Sequence, residues 1–214
     1  DTLGLFARGI DDINLLADAL MAADGAFATE APSSPPRVGI CPSPHWPDAH
    51  PETVAAMVDA EDRLAAAGAK IARIDLPPHF ADVLDAQWTI LKFEIARTLT
   101  PERENQADGL SAGLTAIIDD GLALPVTDYR AALELAHRCR AEMEPVFEAF
   151  DVLLTPSAAS EAPEGLTATT DLLFQRLWTI LHLPCLTLPG FTGPSGLPVG
   201  VQLVGRFGRD AELL

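Results

Sequence analysis

The 214 residues carry 31 acidic side chains against 14 basic ones, a formal charge of −17. Such a surface repels phosphate backbones unless a local basic patch offsets it, and the scattered arginines form none, so no nucleic-acid partner is expected. With 48% apolar and 21% charged residues, and 15 Gly and 18 Pro spread without repeat, the composition is globular and excludes a fibre or a disordered chain.

Asp11 or Asp12 can cap a helix that runs to about Ala23, with Ile13, Leu16, Ala17 and Leu20 on one face and Gly25 as its stop. The Pro/Ser stretch 31–36 is too rich in breakers for regular structure. Arg37 to Cys41 reads as a short buried strand. Pro51 suits a first helical turn, and Val54, Met57, Val58, Glu61, Leu64 and Ala65 then recur at helical spacing until Gly68. Lys70 to Leu76 is a second strand. Strand, helix and strand over about 37–76 predict a βαβ unit with parallel strands. Its first turn, Pro42 to Pro47, lacks the glycine pattern of a dinucleotide site.

Helical periodicity returns from Phe80 to about Leu99 and from Asp128 to about Phe150, the latter with Ala131, Leu135, Cys139, Met143 and Val146 as its apolar face. The polar stretch Glu102 to Asp108 between them reads as a loop. Asp151 to Pro156 is a buried strand ended by proline. A loop rich in Ala, Glu, Pro and Gly leads to a helix over about Asp171–Leu181. Cys185–Gly190 and Pro198–Gly205 read as two strands joined by the turn at 192–196. Alternating strands and helices place the chain in the α/β class.

Three dispersed cysteines (Cys41, Cys139, Cys185), with no Cys-x-x-Cys and no histidine at ligand spacing, fit a reducing cytoplasm better than a disulfide scaffold or a metal site. No apolar run reaches the ~18 residues that a membrane span needs, so no membrane partner is expected. The opening Asp1-Thr2-Leu3-Gly4 and the closing Asp210 to Leu214, which resembles a first helical turn, read as cuts through a longer protein.

Seven serines and five histidines make chance candidates for a nucleophile and its base easy to find, whereas lysine is scarce. Gly193-Pro194-Ser195-Gly196-Leu197 is near a nucleophile elbow, but leucine stands where the second glycine belongs and the context is a turn between strands. Ser157, His182 and Asp151 are candidates for a triad only by geometry, and His182 lies in an apolar segment that favours packing. Lys70 opens a strand, and Lys92 can pair with a neighbouring carboxylate; neither has a serine nearby. Asp119, Asp120, Glu142 and Glu144 fall on polar faces. Read by themselves, these residues assemble no convincing active site.

Three segments together resemble the amidase signature family. Asp1-Thr2-Leu3-Gly4-Leu5-Phe6-Ala7-Arg8-Gly9-Ile10-Asp11-Asp12 is similar to its D-T-x-G-P-x-A-R-S-V-x-D stretch, departing at Leu5 and Gly9. Phe150 to Pro156 resembles its y-D-v-l-l-t-P strand, and Gly196 to Gly205 its G-l-P-v-G-l-Q-l-v-G strand. The βαβ unit and Leu183 to Pro189 fall between them in the family's order. The resemblance implies a mixed β-sheet flanked by helices, with residues 1–214 forming the C-terminal portion of a single amidase domain whose upstream catalytic half is absent. It implies hydrolysis or transfer of small-molecule amides by a Ser–cis-Ser–Lys triad without metal or cofactor. Those catalytic groups belong upstream of the D-T-x-G-P stretch, so no catalytic residue carries over. What carries over is a wall of the acyl pocket, on the helix bearing Phe174, Gln175, Trp178 and Thr179. Thr179 stands where many relatives have Asn, and His182 where many have Gly.

The leading expectation is therefore a fragment of an amide hydrolase, inactive alone. The alternatives are an A-subunit-like fragment of a tRNA-dependent amidotransferase and a self-standing binding or interaction module. Assembly into a homo-oligomer is left open.

Overall fold

The computed structural model describes residues 3–21, 27, 34–165 and 172–214; the expected helix end at Ala23, its stop at Gly25, and Asp171 lie outside them. In chain order the elements are α1 (Ile10–Met21), β1 (Arg37–Ile40), α2 (Pro51–Ala66), β2 (Lys70–Arg73), α3 (Val83–Thr98), α4 (Thr100–Asn105), α5 (Ala112–Ala123), α6 (Val126–Ala149), β3 (Val152–Pro156), α7 (Leu173–Ile180), β4 (Cys185–Thr192), β5 (Pro198–Val204) and α8 (Asp210–Leu213). They divide into two units, residues 1–77 with 143–214, and residues 78–142, the division falling inside α6.

The first unit is a mixed α/β layer. Five strands lie in the order β2-β1-β3-β5-β4. β1 pairs in parallel with both β2 and β3, whereas β5 runs antiparallel to β3 and β4. The expected βαβ unit is thus present, with α2 between its strands. The central strands β1 and β3 are buried nearly throughout, as expected for continuous apolar runs covered on both faces. On one face Val38, Ile40, Leu154, Val199 and Val201 pack with Ala56, Met57 and Ala60 of α2. β4 forms one edge; its Leu188 is 38% exposed, and Pro189 sits where the pairing with β5 slips between Leu188 and Phe191. An edge strand tolerates a proline, which has no N–H to contribute to a ladder.

α1 begins with Asp11 and Asp12 in its first turn, where carboxylates suit the positive end of the helix dipole. Of its expected inner face, Ala17 is buried and Ile13 half-buried. Leu16 and Leu20 are 40% and 58% exposed, and Phe6 just before the helix is 94% exposed.

Arg37, at the start of β1, closes the sheet against the α6–β3 junction. Its guanidinium donates to Asp151 Oδ1 from Nη2 at 2.6 Å and from Nε at 3.1 Å, and to the Glu148 carbonyl at 2.8 Å. The Arg37 amide donates to Asp151 Oδ2 at 2.8 Å. Because both side chains are nearly half exposed, solvent screens the pair, and Arg37→Met is expected to lower the urea midpoint only slightly. The Arg37 hydrogen bonds hold the Asp151 carboxyl below the usual carboxylate range. That contribution is therefore whole above about pH 4 and is lost as the pH falls through the depressed value. R37M should lose this part of the acid dependence.

The second unit is helical. Phe80, Val83, Phe93, Ala96, Ile118 and Cys139 are buried in it. A 3-10 turn, Pro78–Asp82, precedes α3, so the helical run expected from Phe80 starts as a tighter coil. The stretch 102–108, expected as a loop, is instead α4 followed by a 3-10 turn over Ala107–Gly109. Pro101 starts α4 with the right φ, Arg103 pairs with Asp119 at 3.3 Å, and a polar helix lying on the surface needs no apolar stripe. α5 begins at Ser111, whose hydroxyl accepts from the Leu114 amide, a side-chain N-cap. Lys92 donates to Asp120 at 2.7 Å, the carboxylate pairing expected for it.

Candidate functional site

α7 carries the four residues singled out as a pocket wall, and its geometry splits them into two rows. Phe174 and Trp178, four residues apart, share a helix face and are fully buried. Leu177 and Leu181 are buried beside them. Gln175 and Thr179 form the neighbouring row; Gln175 is half-buried and Thr179 exposed. The Thr179 hydroxyl donates to the Gln175 carbonyl at 3.1 Å. The Gln175 amide nitrogen donates to the Ser157 carbonyl, which fixes α7 to the segment leaving β3.

Among the described residues, Gln175 Oε1 and Trp178 Nε1 of α7, Thr155 Oγ1 of β3 and Gln202 Nε2 of β5 are buried without a hydrogen-bond partner. Thr155 and Thr187 are the β-ladder partners of Gln202 on either side, so one face of the sheet carries a short polar row. Unpaired buried groups of this kind cost about 1–3 kcal/mol each and call for partners. α7 thus presents an N–H donor and an amide oxygen, and the sheet an N–H donor and a hydroxyl; among the described residues no base is hydrogen-bonded to that hydroxyl to activate it.

The segment 157–161 ties several elements together. Its Ala159 carbonyl accepts from the His50 amide at 2.8 Å and from the Thr53 hydroxyl at 3.0 Å, both at the start of α2. At its far end Glu161, 8% exposed, turns its carboxylate into the turn between β4 and β5. The Ser195 amide donates to it at 2.9 Å and the Leu197 amide at 3.3 Å. The Ser195 hydroxyl and these amides hold the Glu161 carboxyl below the usual carboxylate range. Nothing in the sequence marked Glu161, because one carboxylate in a loop of Ala, Pro, Gly and Ser looks like solvated surface.

The triad candidates do not converge. Asp151 precedes β3 and is engaged by Arg37, whereas Ser157 follows the other end of the same strand. Six residues of extended chain separate them by roughly 20 Å. Ser195 lies in the β4–β5 turn with Gly196 at φ +82°, a hairpin position rather than an elbow. Lys70 is exposed at the start of β2. Among the described residues no cluster of three or more His, Cys, Asp or Glu side chains is placed to hold a metal ion, and no helix is long and apolar enough to cross a membrane.

His182, the residue after the α7 cap, has φ +57°, a left-handed conformation that a side chain disfavours by roughly 1–2 kcal/mol. His182→Gly is therefore expected to raise stability by up to about 1 kcal/mol, read as an increased urea midpoint at unchanged slope.

Against known proteins, residues 1–214 match the family described as Amidase. The chain is 27% identical over its full length to 2-amino-5-chloromuconic acid deaminase of Comamonas testosteroni, covering 49% of that protein. A glutamyl-tRNA(Gln) amidotransferase subunit of Neisseria gonorrhoeae is 38% identical over 93 residues, 40% of this chain and 19% of that one. Among solved structures, one described as an amidase superposes with a TM-score of 0.82 at 24% identity, over 97% of this chain and 49% of that one. This fold, a mixed sheet flanked by helices, is the amidase-signature fold. The chain belongs to the amidase-signature family. It spans about half the length of the relatives it matches from end to end.

Proposed function

We propose that this chain is the C-terminal half of an amidase-signature hydrolase that cleaves the C–N bond of a small carboxamide. It supplies scaffold and one wall of the acyl pocket, on α7. The attacking serine, its cis-serine partner and the lysine belong to polypeptide upstream of the Asp1-Thr2-Leu3-Gly4 stretch. In the whole enzyme the serine is acylated with loss of the amine, and water then releases the acid.

The observation that carries this reading is the end-to-end match to 49% of a family member. Two features support it. Leu3, Phe6, Leu15, Leu20 and Met21 are more than half exposed, and a run of large apolar side chains in water marks a surface that another segment covers. Both lysines also fit surface roles rather than catalysis. Three unpaired cysteines suit a reducing compartment, and we place the protein in the cytoplasm.

The pure chain is expected to release no ammonia or amine from simple aliphatic and aromatic carboxamides above the blank, to bind an apolar dye, and to self-associate. Turnover by the chain alone that disappears in Ser157→Ala or Ser195→Ala overturns the reading. So does a dye-silent monomer.

The match to the amidotransferase protein favours a second reading, in which the ammonia released on acylation passes to an aminoacyl-tRNA. It is told apart by assaying the chain joined to its upstream half. Hydrolysis of simple carboxamides without tRNA supports the first reading, and glutaminase activity confined to glutamine supports the second.

A further inference from the structure

The turn between β4 and β5 is built around an anion that the chain itself provides. Gly196 lies in the left-handed region (φ +82°), and the amides on either side of it, Ser195 and Leu197, aim at one carboxylate. Successive backbone N–H groups arranged in this way form a concave nest that favours negative charge. The Gly196 amide does not share in this; it donates to the Gly193 carbonyl at 3.0 Å, and the Gly193 amide donates to the Leu197 carbonyl at 2.8 Å. The carboxylate also lies over Gly193, in the space that a side chain there would enter. A methyl group there would overlap Glu161 Oε2, so glycine is what admits the carboxylate.

The backbone of the segment that carries Glu161 is pinned as well. Ser160 Oγ donates to the Glu161 carbonyl at 2.8 Å. Two residues earlier, the strap is pinned to the start of α2 through Ala158 and Ala159, and at Ser157 it accepts from Gln175 of α7. The hairpin turn, α2 and α7 therefore all meet the same five residues, 157–161.

We propose that Glu161 is a positioning residue whose carboxylate, as an internal anion in the nest at Ser195 and Leu197, fixes the β4–β5 turn onto the strap that also holds α7. The clamp stands on its own geometry and needs no assumption about catalysis. Its bearing on substrate, that one strap sets both the turn and the pocket wall, rests on reading α7 as that wall. All measurements below are made on the chain alone, so failure of the clamp and failure of the amidase reading appear in different experiments.

The test is amide hydrogen exchange at Ser195 and Leu197 in the full chain, followed by NMR. In the wild type both amides should be protected. Glu161→Ala should speed both by about tenfold or more, the scale of losing charge-assisted hydrogen bonds. Gly193→Ala should do the same by excluding the carboxylate. The double variant should be no faster than Glu161→Ala, because both changes remove one contact. Acetate added to Glu161→Ala should restore protection by filling the vacated nest, whereas sodium chloride at equal ionic strength should not. A role in packing alone would show no such selectivity. The proposal is overturned by unprotected amides in the wild type, by additive effects in the double variant, or by equal action of acetate and chloride. Should Glu161→Ala not fold, Glu161→Gln keeps the side-chain volume but removes the charge, and must still speed exchange at both amides because their hydrogen bonds lose charge assistance.

Discussion

Trp178→Ala is expected to destabilise the chain by about 3–5 kcal/mol, the cost of emptying a fully buried aromatic site, with the loss read as a lower urea midpoint. Trp178 has no exposed surface and lies on the α7 face that also buries Phe174 and Leu177. Phenylalanine at this position should behave differently. The indole Nε1 is buried without a partner among the described residues, so Trp178→Phe removes an unsatisfied donor along with some volume. The two effects are of similar size and opposite sign, and the variant is expected to stay within about 1 kcal/mol of the parent. If the N–H meets a bound acyl group or a docked segment in the longer protein, Trp178→Phe should be costly there and nearly silent in the isolated chain. A large loss in the isolated chain would mean that the indole is held by packing that phenylalanine cannot reproduce.

Gly121→Ala should destabilise the helical unit 78–142 by about 1–3 kcal/mol or more, as overpacking at a rigid contact does. The added methyl would overlap the backbone carbonyl oxygen of Lys92 in α3 and crowd the Ala96 side chain, and a backbone atom has no rotamer by which to move aside. Arg97, which donates to both the Phe93 and the Gly121 carbonyls at 2.9 and 3.3 Å, would be pushed out of place as the helices separate. Gly113, in the same helix, has nothing within 4 Å of its would-be methyl. Gly113→Ala is therefore expected to gain up to about 1 kcal/mol from helix propensity alone. Opposite signs for one substitution at two positions of one helix would show that the contact, not the propensity, decides. Equal signs in thermal and urea denaturation would refute the close approach of α3 and α5.

Where a segment's pattern depends on its own neighbours in the chain, it could be read directly. Pro51 opening a helix, Gly68 closing it at φ +95°, and the apolar runs of β1 and β3 are local signals, and they placed the βαβ unit and the parallel pairing. The turn at Ser195 was legible for the same reason, since Gly-Pro-Ser-Gly suits a hairpin better than an elbow. α4 looks like a loop in sequence because a polar surface helix lacks the apolar stripe that marks a helix. α5 was passed over. The βαβ unit and the motif order carried the family, because they survive as short strings.

The candidate site was legible only in part. The family resemblance put Phe174, Gln175, Trp178 and Thr179 on one helix, but burial of Phe174 and Trp178 and exposure of Thr179 depend on what α7 packs against. Glu161 gave no signal at all, since its partners Ser195 and Leu197 are 34 and 36 residues away. Arg37 and Asp151, 114 residues apart, were equally invisible as a pair. The amino-acid order alone settled the strands, the amphipathic helices, the family and the want of a recognisable nucleophile motif, because each is written in residues close together along the chain. Folding decided which carboxylate enters the hairpin turn, which indole loses its water and which strand is left at the edge. Those outcomes depend on groups distant in sequence meeting in a space from which solvent is excluded.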